Sequence, residues 1–167
     1  MRRDNRGLSL VELVIVITIM AVLGGLMAMG ISAAITKPAE ECAKKLAASL
    51  KEARVSTMGK KSVQLKLYTE DGYIYVKEEI TLANGTVSAK VNKIGEKGVE
   101  VTYCFAGESS YQVLGNSSDP LTLSFDRSNG GFKPCKDSKY CGEIKVKKGT
   151  REQTLKLYHL TGKVTVE

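Results

Sequence analysis

The stretch RGLSLVELVIVITIM, Arg6 to Met20, combines an apolar run that begins at Leu8 with a carboxylate, Glu12, inside its first two turns. The apolar character continues further, because the 24 residues from Leu13 to Thr36 carry no charge. A helix of that length spans about 36 Å, which is enough for the ~30 Å hydrocarbon core of a bilayer. The rest of the chain is polar with short alternating runs, so the sequence predicts one membrane helix and one soluble domain.

The arginines that precede the apolar run predict its orientation. Arg2, Arg3 and Arg6 lie before it, which places the N-terminus in the cytoplasm and the C-terminal domain outside. The whole chain has a formal charge of +7, but its other lysines are scattered along predicted strands. No basic helix face with aromatic neighbours is present in the sequence, so nucleic-acid binding is not indicated for this chain.

Three explanations compete for the N-terminal segment. A removable secretory signal would use the small residues Ser32-Ala33-Ala34 for cleavage, but such signals have an apolar region of only about 7–15 residues. A plain signal anchor explains length and orientation and leaves Glu12 to reach the headgroups. Cleavage between Gly7 and Leu8 would instead give Leu8 a free ammonium group and make Glu12 the fifth residue. The two opposite charges could then pair within one helix or between two subunits, lowering the desolvation cost of both.

This pattern resembles the class III signal of type IV prepilins and type II secretion pseudopilins. The shared features are a short basic leader ending in Gly7, an apolar first mature residue, Glu12 at mature position five and a long apolar helix. Leu8 departs from the phenylalanine that is commoner there. The resemblance implies cleavage after Gly7 and N-methylation of Leu8 by a prepilin peptidase. It also implies that the helix anchors the protein in membrane lipid and later enters a filament core.

The segment after the apolar run predicts the amphipathic half of the same helix, residues 37–61. Pro38 can kink or restart the helix, since it removes one backbone donor. Beyond it, apolar residues recur at helical spacing and charged residues fall largely elsewhere, which is typical of a helix with one buried face. The recurring residues are Cys42, Leu46, Leu50 and Ala53.

Residues 62–167 predict a β-rich domain. SVQLKLY, Ser62 to Tyr68, alternates apolar and polar residues, and similar short runs separated by turn residues continue to Val166. This pattern is typical of antiparallel sheet. We therefore predict an α+β, pilin-like fold with four parts: a leader (1–7), a transmembrane or filament-core helix (8–36), an amphipathic helix half (37–61) that packs on the sheet, and the β domain (62–167).

Two further segments resemble minor pseudopilins of the GspH/FimT type. LAASLKEARVSTMGKKSVQLKL, Leu46 to Leu67, is similar to the passage from helix to first strand in that family. Leu123-Ser124-Phe125-Asp126 with Gly130-Gly131, and Leu160-Thr161-Gly162-Lys163-Val164, resemble its later strands. The resemblance implies an exposed tip position or an initiating role in the filament.

The four cysteines lie in the part predicted to be extracytoplasmic, where disulfides persist. Cys135 and Cys141 enclose the loop KDSKY and form one candidate bridge. Cys42 on the helix and Cys104 on a strand form the second candidate, provided that Cys104 faces the helix. Four cysteines allow three connectivities, and free buried thiols are the alternative.

No enzymatic motif is recognisable in the sequence. The one histidine, His159, has no nucleophile motif beside it, and the cysteines lack zinc spacing. Asp126-Arg127-Ser128-Asn129-Gly130 lacks the alternating acids of a calcium loop. We therefore expect no enzyme activity, cofactor or metal.

The sequence predicts a minor pilin or pseudopilin of a type IV pilus or type II secretion-like filament. Its expected partners are prepilin peptidase, other pilin or pseudopilin subunits, the inner-membrane assembly platform and membrane lipid. The alternative is a membrane-anchored extracellular binding domain that never polymerises.

Overall fold

The computed structural model describes residues 10–59, 62–82 and 85–167, and the side chains of 24–36 are left out of the description. Within this part the chain forms one helix and nine strands, which confirms the α+β prediction. The elements are α1 (Leu10–Met58), β1 (Ser62–Glu70), β2 (Tyr73–Thr81), β3 (Val87–Gly95), β4 (Glu100–Phe105), β5 (Gln112–Val113), β6 (Leu121–Ser124), β7 (Cys141–Lys148), β8 (Arg151–Tyr158) and β9 (Lys163–Val166). The chain divides into two compact units, Met1–Ile35 and Thr36–Glu167.

The strands of the second unit form two antiparallel sheets. The first sheet has the order β3-β2-β1-β6 and the second has the order β5-β4-β7-β8-β9. The sequence predicted one meander on the helix, and the structure differs because β6 returns to pair with β1, Leu65 lying opposite Leu123. The strand after it, β7, joins β4 in the second sheet, Val146 lying opposite Val101. Alternation alone shows which face of a strand is buried but not which strand is its neighbour.

The amphipathic half of α1 contributes one face to the core of the second unit, as the spacing predicted. Leu46 and Leu50 are fully buried among small neighbours, and inward-facing residues of both sheets complete the same cluster. The helical residues of the cluster are Ala39, Cys42, Ala43, Leu46, Ala47, Leu50 and Ala53. Pro38 lies inside α1 and does not end it.

Close backbone approach fixes the loops at the end of this helix. Gly162 has a positive φ of 63°, and a Cβ atom there would overlap the carbonyl oxygen of Gly130. The Nε of Arg54 donates a hydrogen bond of 3.0 Å to the same carbonyl. Gly130 and Gly162 therefore allow the two loops that contain them to approach each other closely beside Arg54 of the helix.

The cysteines differ from the predicted bridges, because all four are free thiols in the structure. Cys42 lies against the first sheet, where a Cβ at Gly95 would come within 3.0 Å of its sulfur. Cys104 lies in the second sheet opposite Glu143, with the parity opposite to the buried Val101 and Tyr103. The predicted pair Cys42–Cys104 thus fails because Cys104 is on the sheet face away from the core residues of its strand.

The loop between Cys135 and Cys141 is closed by backbone hydrogen bonds instead of a disulfide. Lys136 and Lys139 form an isolated antiparallel bridge, and the Cys135 N–H donates to the Lys139 carbonyl at 2.9 Å. The Cys135 thiol donates to the same carbonyl at 3.3 Å, and the Cys141 thiol lies 3.8 Å from the Glu143 carbonyl oxygen. Each thiol therefore already has a backbone acceptor.

We predict that replacing Leu50 by alanine destabilises the second unit by about 2–5 kcal/mol, because it leaves a cavity between helix and sheets. Val55 on the same helix is 70% exposed, so V55A should change stability by no more than about 0.5 kcal/mol. Thermal unfolding of the full chain in detergent, followed by near-ultraviolet circular dichroism, measures both. Equal losses in the two variants would contradict the packing of this helix face.

We also predict a large difference in reactivity among the thiols. Burial raises the pKa of Cys42 to about 12, so only about one molecule in ten thousand carries its thiolate at about pH 8. Iodoacetamide should label the partly exposed Cys135 first and reach Cys42 only after unfolding, as peptide mass spectrometry would show. Unfolding without reductant should make all four cysteines reactive. If two or four cysteines stayed unlabelled after unfolding, they would be disulfide-bonded, and the predicted bridges would be supported instead of free thiols.

Candidate functional site: the N-terminal helix and a cleft in the second sheet

The N-terminal segment is the first candidate site. α1 begins at Leu10, and Glu12 lies in its first turn with an exposed side chain. A carboxylate is favourable there because the peptide dipoles of a helix give its N-terminal end partial positive charge. Gly7 and Leu8, the predicted cleavage and methylation residues, lie outside the described residues, as does the leader 1–7.

The first turns of α1 expose an apolar surface. The large apolar side chains from Leu10 to Leu23 are between 45% and 77% exposed, with Val16 and Leu10 at the two ends of that range. The one hydroxyl in this stretch, that of Thr18, donates to the Val14 carbonyl at 2.7 Å, so its hydrogen-bonding need is met by the helix itself. Contiguous exposed apolar surface of this kind is typical of contact with lipid or with other proteins.

Among the described residues, no helical stretch combines the length and the hydropathy needed to cross a bilayer.

The second candidate site is a cleft of about 430 Å³ in the second sheet. It lies at the end of β4, where the register between β4 and β7 shifts between Cys104 and Phe105. Gly142 permits this irregularity, because a Cβ there would approach the Cα of Ala106 to 3.0 Å. Such bulges redirect side chains and are frequent next to functional sites. The loop from 106 to 111 forms one wall, and β8 forms another with Lys156 and Tyr158.

A hydrogen bond between Tyr111 and Glu143 dominates the electrostatics of this cleft. The phenol of Tyr111 donates to Oε2 of Glu143 at 2.6 Å, and the Lys145 ammonium lies 4.6 Å from the centre of the tyrosine ring. The bond to the Glu143 carboxylate, with a smaller contribution from burial, raises the pKa of Tyr111. The phenol therefore stays neutral and remains a donor through the physiological range.

The lysines around the cleft are bound by other carboxylates. Lys145 pairs with Glu152 at 2.8 Å, and Lys156 pairs with Glu167 at 2.7 Å. Among the described residues Glu143 forms no ion pair within 4.0 Å; its bonded partner is the neutral phenol of Tyr111. The carboxylate of Glu143 is thus held in place by a neutral donor, while the ammonium groups of Lys145 and Lys156 act on it from beyond ion-pair distance.

The other residues considered as catalytic or metal-binding candidates do not come together in the described part of the chain. The ring of His159 packs on Tyr140 with 4.8 Å between centroids, and its backbone carbonyl accepts a hydrogen bond from Phe132. Asp126 Oδ1 accepts from the Ser128 amide at 2.7 Å, which is an ordinary turn contact. Within the described ranges, no three His, Cys, Asp or Glu residues come together as metal ligands.

The sequence pointed to Gly7, Leu8 and Glu12, and it missed the cleft. Tyr111, Glu143 and Tyr158 come from a loop and two strands, and they share a surface only once the order β5-β4-β7-β8 is known. The available signal was Gly142, a glycine directly after the first residue of a strand and one that marks a bulge.

Comparison with known protein families supports the interpretation of the N-terminal segment as a prepilin-like signal. Residues 2–28 match the family model of the prokaryotic N-terminal methylation motif. No curated protein and no solved structure matches the chain. The match covers residues 2–7 of the predicted leader, Glu12 and the first turns of α1, and it identifies this segment as a prepilin-like signal. A motif of this kind implies processing by prepilin peptidase and assembly with pilins.

Proposed function

We propose that this protein is a structural subunit, a minor pilin or pseudopilin of a type IV pilus or type II secretion-like filament. The observation that carries the proposal is the methylation motif at residues 2–28, because its part from Leu10 onward lies in α1 and the large apolar side chains from Leu10 to Leu23 are exposed. A helix that is apolar on all sides needs lipid or other helices around it. Assembly, and not catalysis, is the function that uses this surface.

In the proposed pathway the protein is inserted with its N-terminus in the cytoplasm and its second unit outside. Prepilin peptidase removes residues 1–7 and methylates the Leu8 amine. The assembly platform then moves the subunit from the membrane into the filament, where Glu12 meets an N-terminal ammonium group of a neighbouring subunit. Pairing lowers the cost of keeping both charges out of water, and it favours the one axial stagger that brings them together. A GspH/FimT-like position at the filament tip is the finer form of this proposal.

The cleft in the second sheet favours a second candidate, a membrane-anchored binding domain that does not polymerise. Such a protein would use the same helix as a permanent anchor and would need neither cleavage at Gly7 nor a charge at Glu12. The two candidates therefore differ in what happens at the N-terminus, and both accommodate the fold of the second unit.

We predict that co-expression with a prepilin peptidase yields a chain that begins at Leu8 with one methyl group on its amine. Intact-mass and N-terminal peptide mass spectrometry of protein extracted from membranes would show both changes. Replacing Gly7 by a bulky residue should block cleavage, because the residue before the scissile bond would no longer fit a site that takes glycine. A chain that keeps Met1 in the presence of active peptidase would favour the permanent anchor.

We further predict that E12A and E12Q leave membrane insertion and cleavage unchanged and lower incorporation into sheared filaments by at least about tenfold. Removing one member of a desolvated charge pair costs about 3–5 kcal/mol, so a tenfold loss is a lower bound. The control is E52A, which removes an exposed carboxylate from the same helix and should be incorporated normally. Quantitative immunoblots of filament and membrane fractions supply the measurement. Normal incorporation of both Glu12 variants into filaments would contradict charge pairing by Glu12.

A further inference from the structure

The cleft at the end of β4 presents a carboxylate that forms no direct ion pair within the described residues. Glu143 is fixed by the 2.6 Å hydrogen bond from Tyr111. Two lysines of the same sheet, Lys145 and Lys156, form ion pairs with Glu152 and Glu167 and act on Glu143 only from a longer distance. A positive group from outside could therefore form the direct ion pair with Glu143 that the lysines of the sheet do not form.

Aromatic rings flank this carboxylate. Tyr111 is 40% exposed and Tyr158 is 47% exposed, and both line the cleft. Tyrosine faces attract cations through the ring quadrupole, so the two phenols and Glu143 offer the same ligand two kinds of favourable contact. Ammonium groups of the protein already lie near both rings, that of Lys145 at 4.6 Å from the centre of Tyr111 and that of Lys163 at 5.9 Å from the centre of Tyr158, so a bound cation would share the rings with them.

The geometry favours a planar cation. Tyr111 occupies Oε2 of Glu143 with one hydrogen bond, which leaves Oε1 and the second lone pair of Oε2 as acceptors. A guanidinium group can donate two parallel bonds to such a carboxylate and stack on a ring, whereas an ammonium group acts as a strongly hydrated point charge. The other acidic residue that lines the cleft, Glu108, pairs with Lys139 at 2.7 Å and does not compete for the ligand.

We propose that the cleft is a recognition site for an arginine side chain of a protein partner, with Glu143 as the anionic anchor and Tyr111 and Tyr158 as its aromatic walls. The volume of about 430 Å³ accommodates one such side chain with its flanking backbone. The site lies within the second unit and includes no residue of the methylation motif. Its failure would therefore leave the proposed filament function intact, and failure of processing or assembly would leave the site intact.

Nuclear magnetic resonance of the full chain in detergent micelles, with labelled tyrosine rings, tests this directly. The probe is N-acetyl-arginine amide, and its matched control is N-acetyl-citrulline amide, which has nearly the same shape without the charge. We expect saturable shifts at Tyr111 and Tyr158, with the citrulline probe binding at least about fivefold more weakly, which corresponds to about 1 kcal/mol. Equal affinities for the two probes, or no shift at either ring, would overturn the proposal.

Two carboxylate variants test whether Glu143 contributes to binding. E143Q should weaken arginine-amide binding at least about fivefold while keeping the hydrogen-bond acceptor for Tyr111. E100Q makes the same change of charge at an exposed position on the neighbouring strand β4 and should bind like the unchanged chain. Because the citrulline comparison uses the unchanged chain, it decides the matter even if E143Q does not fold.

A small free amine could bind the same carboxylate in place of an arginine side chain. Putrescine, titrated in the same experiment, should bind more weakly than the arginine amide, because it lacks the planar fork that matches the carboxylate. Tighter binding of putrescine than of the arginine probe would overturn the assignment to an arginine side chain. Unchanged affinity in E143Q would overturn the role of Glu143.

Discussion

The buried face of α1 between Ala39 and Ala53 is the contact on which the second unit depends. Its two sheets are not hydrogen-bonded to each other as one ladder, so they are joined through the core that both share with this face. Leu46 and Leu50 fill that core together with the small buried residues Ala43, Ala47 and Ala53 of the same helix face. Loss of one of these leucines would therefore loosen both sheets and not only one contact.

The same helix carries a second apolar surface that its own unit leaves exposed. Side chains from Leu10 to Leu23 are as apolar as those of the core, yet no residue in that stretch is buried. The hydrophobic effect that folds the second unit is thus available in the first unit for association with lipid or with other helices. A carboxylate such as that of Glu12 is costly in apolar surroundings unless a cation lies beside it, which is the physical basis of the charge pairing proposed above.

Periodicity predicted some parts of this structure and could not predict others. The spacing of Cys42, Leu46, Leu50 and Ala53 predicted the buried helix face, and the alternation of Val63, Leu65 and Leu67 predicted the inner face of β1. The division into two sheets was not predictable, since it depends on long-range pairing such as Leu65 with Leu123. The Cys42–Cys104 bridge was wrong for a related reason: residue parity allowed either face, and the register placed Cys104 beside Glu143.

The ion pairs on the second sheet matter more for the local potential than for stability. Exposed pairs such as Lys145–Glu152 and Lys156–Glu167 contribute only about 0–1 kcal/mol each to folding. Because each of these lysines is bound to another carboxylate, it acts on Glu143 only from beyond ion-pair distance. The neutral phenol of Tyr111 orients Glu143 without adding a charge of its own. Both ion pairs connect neighbouring segments of the second sheet, so the placement of these charges follows from the sheet register.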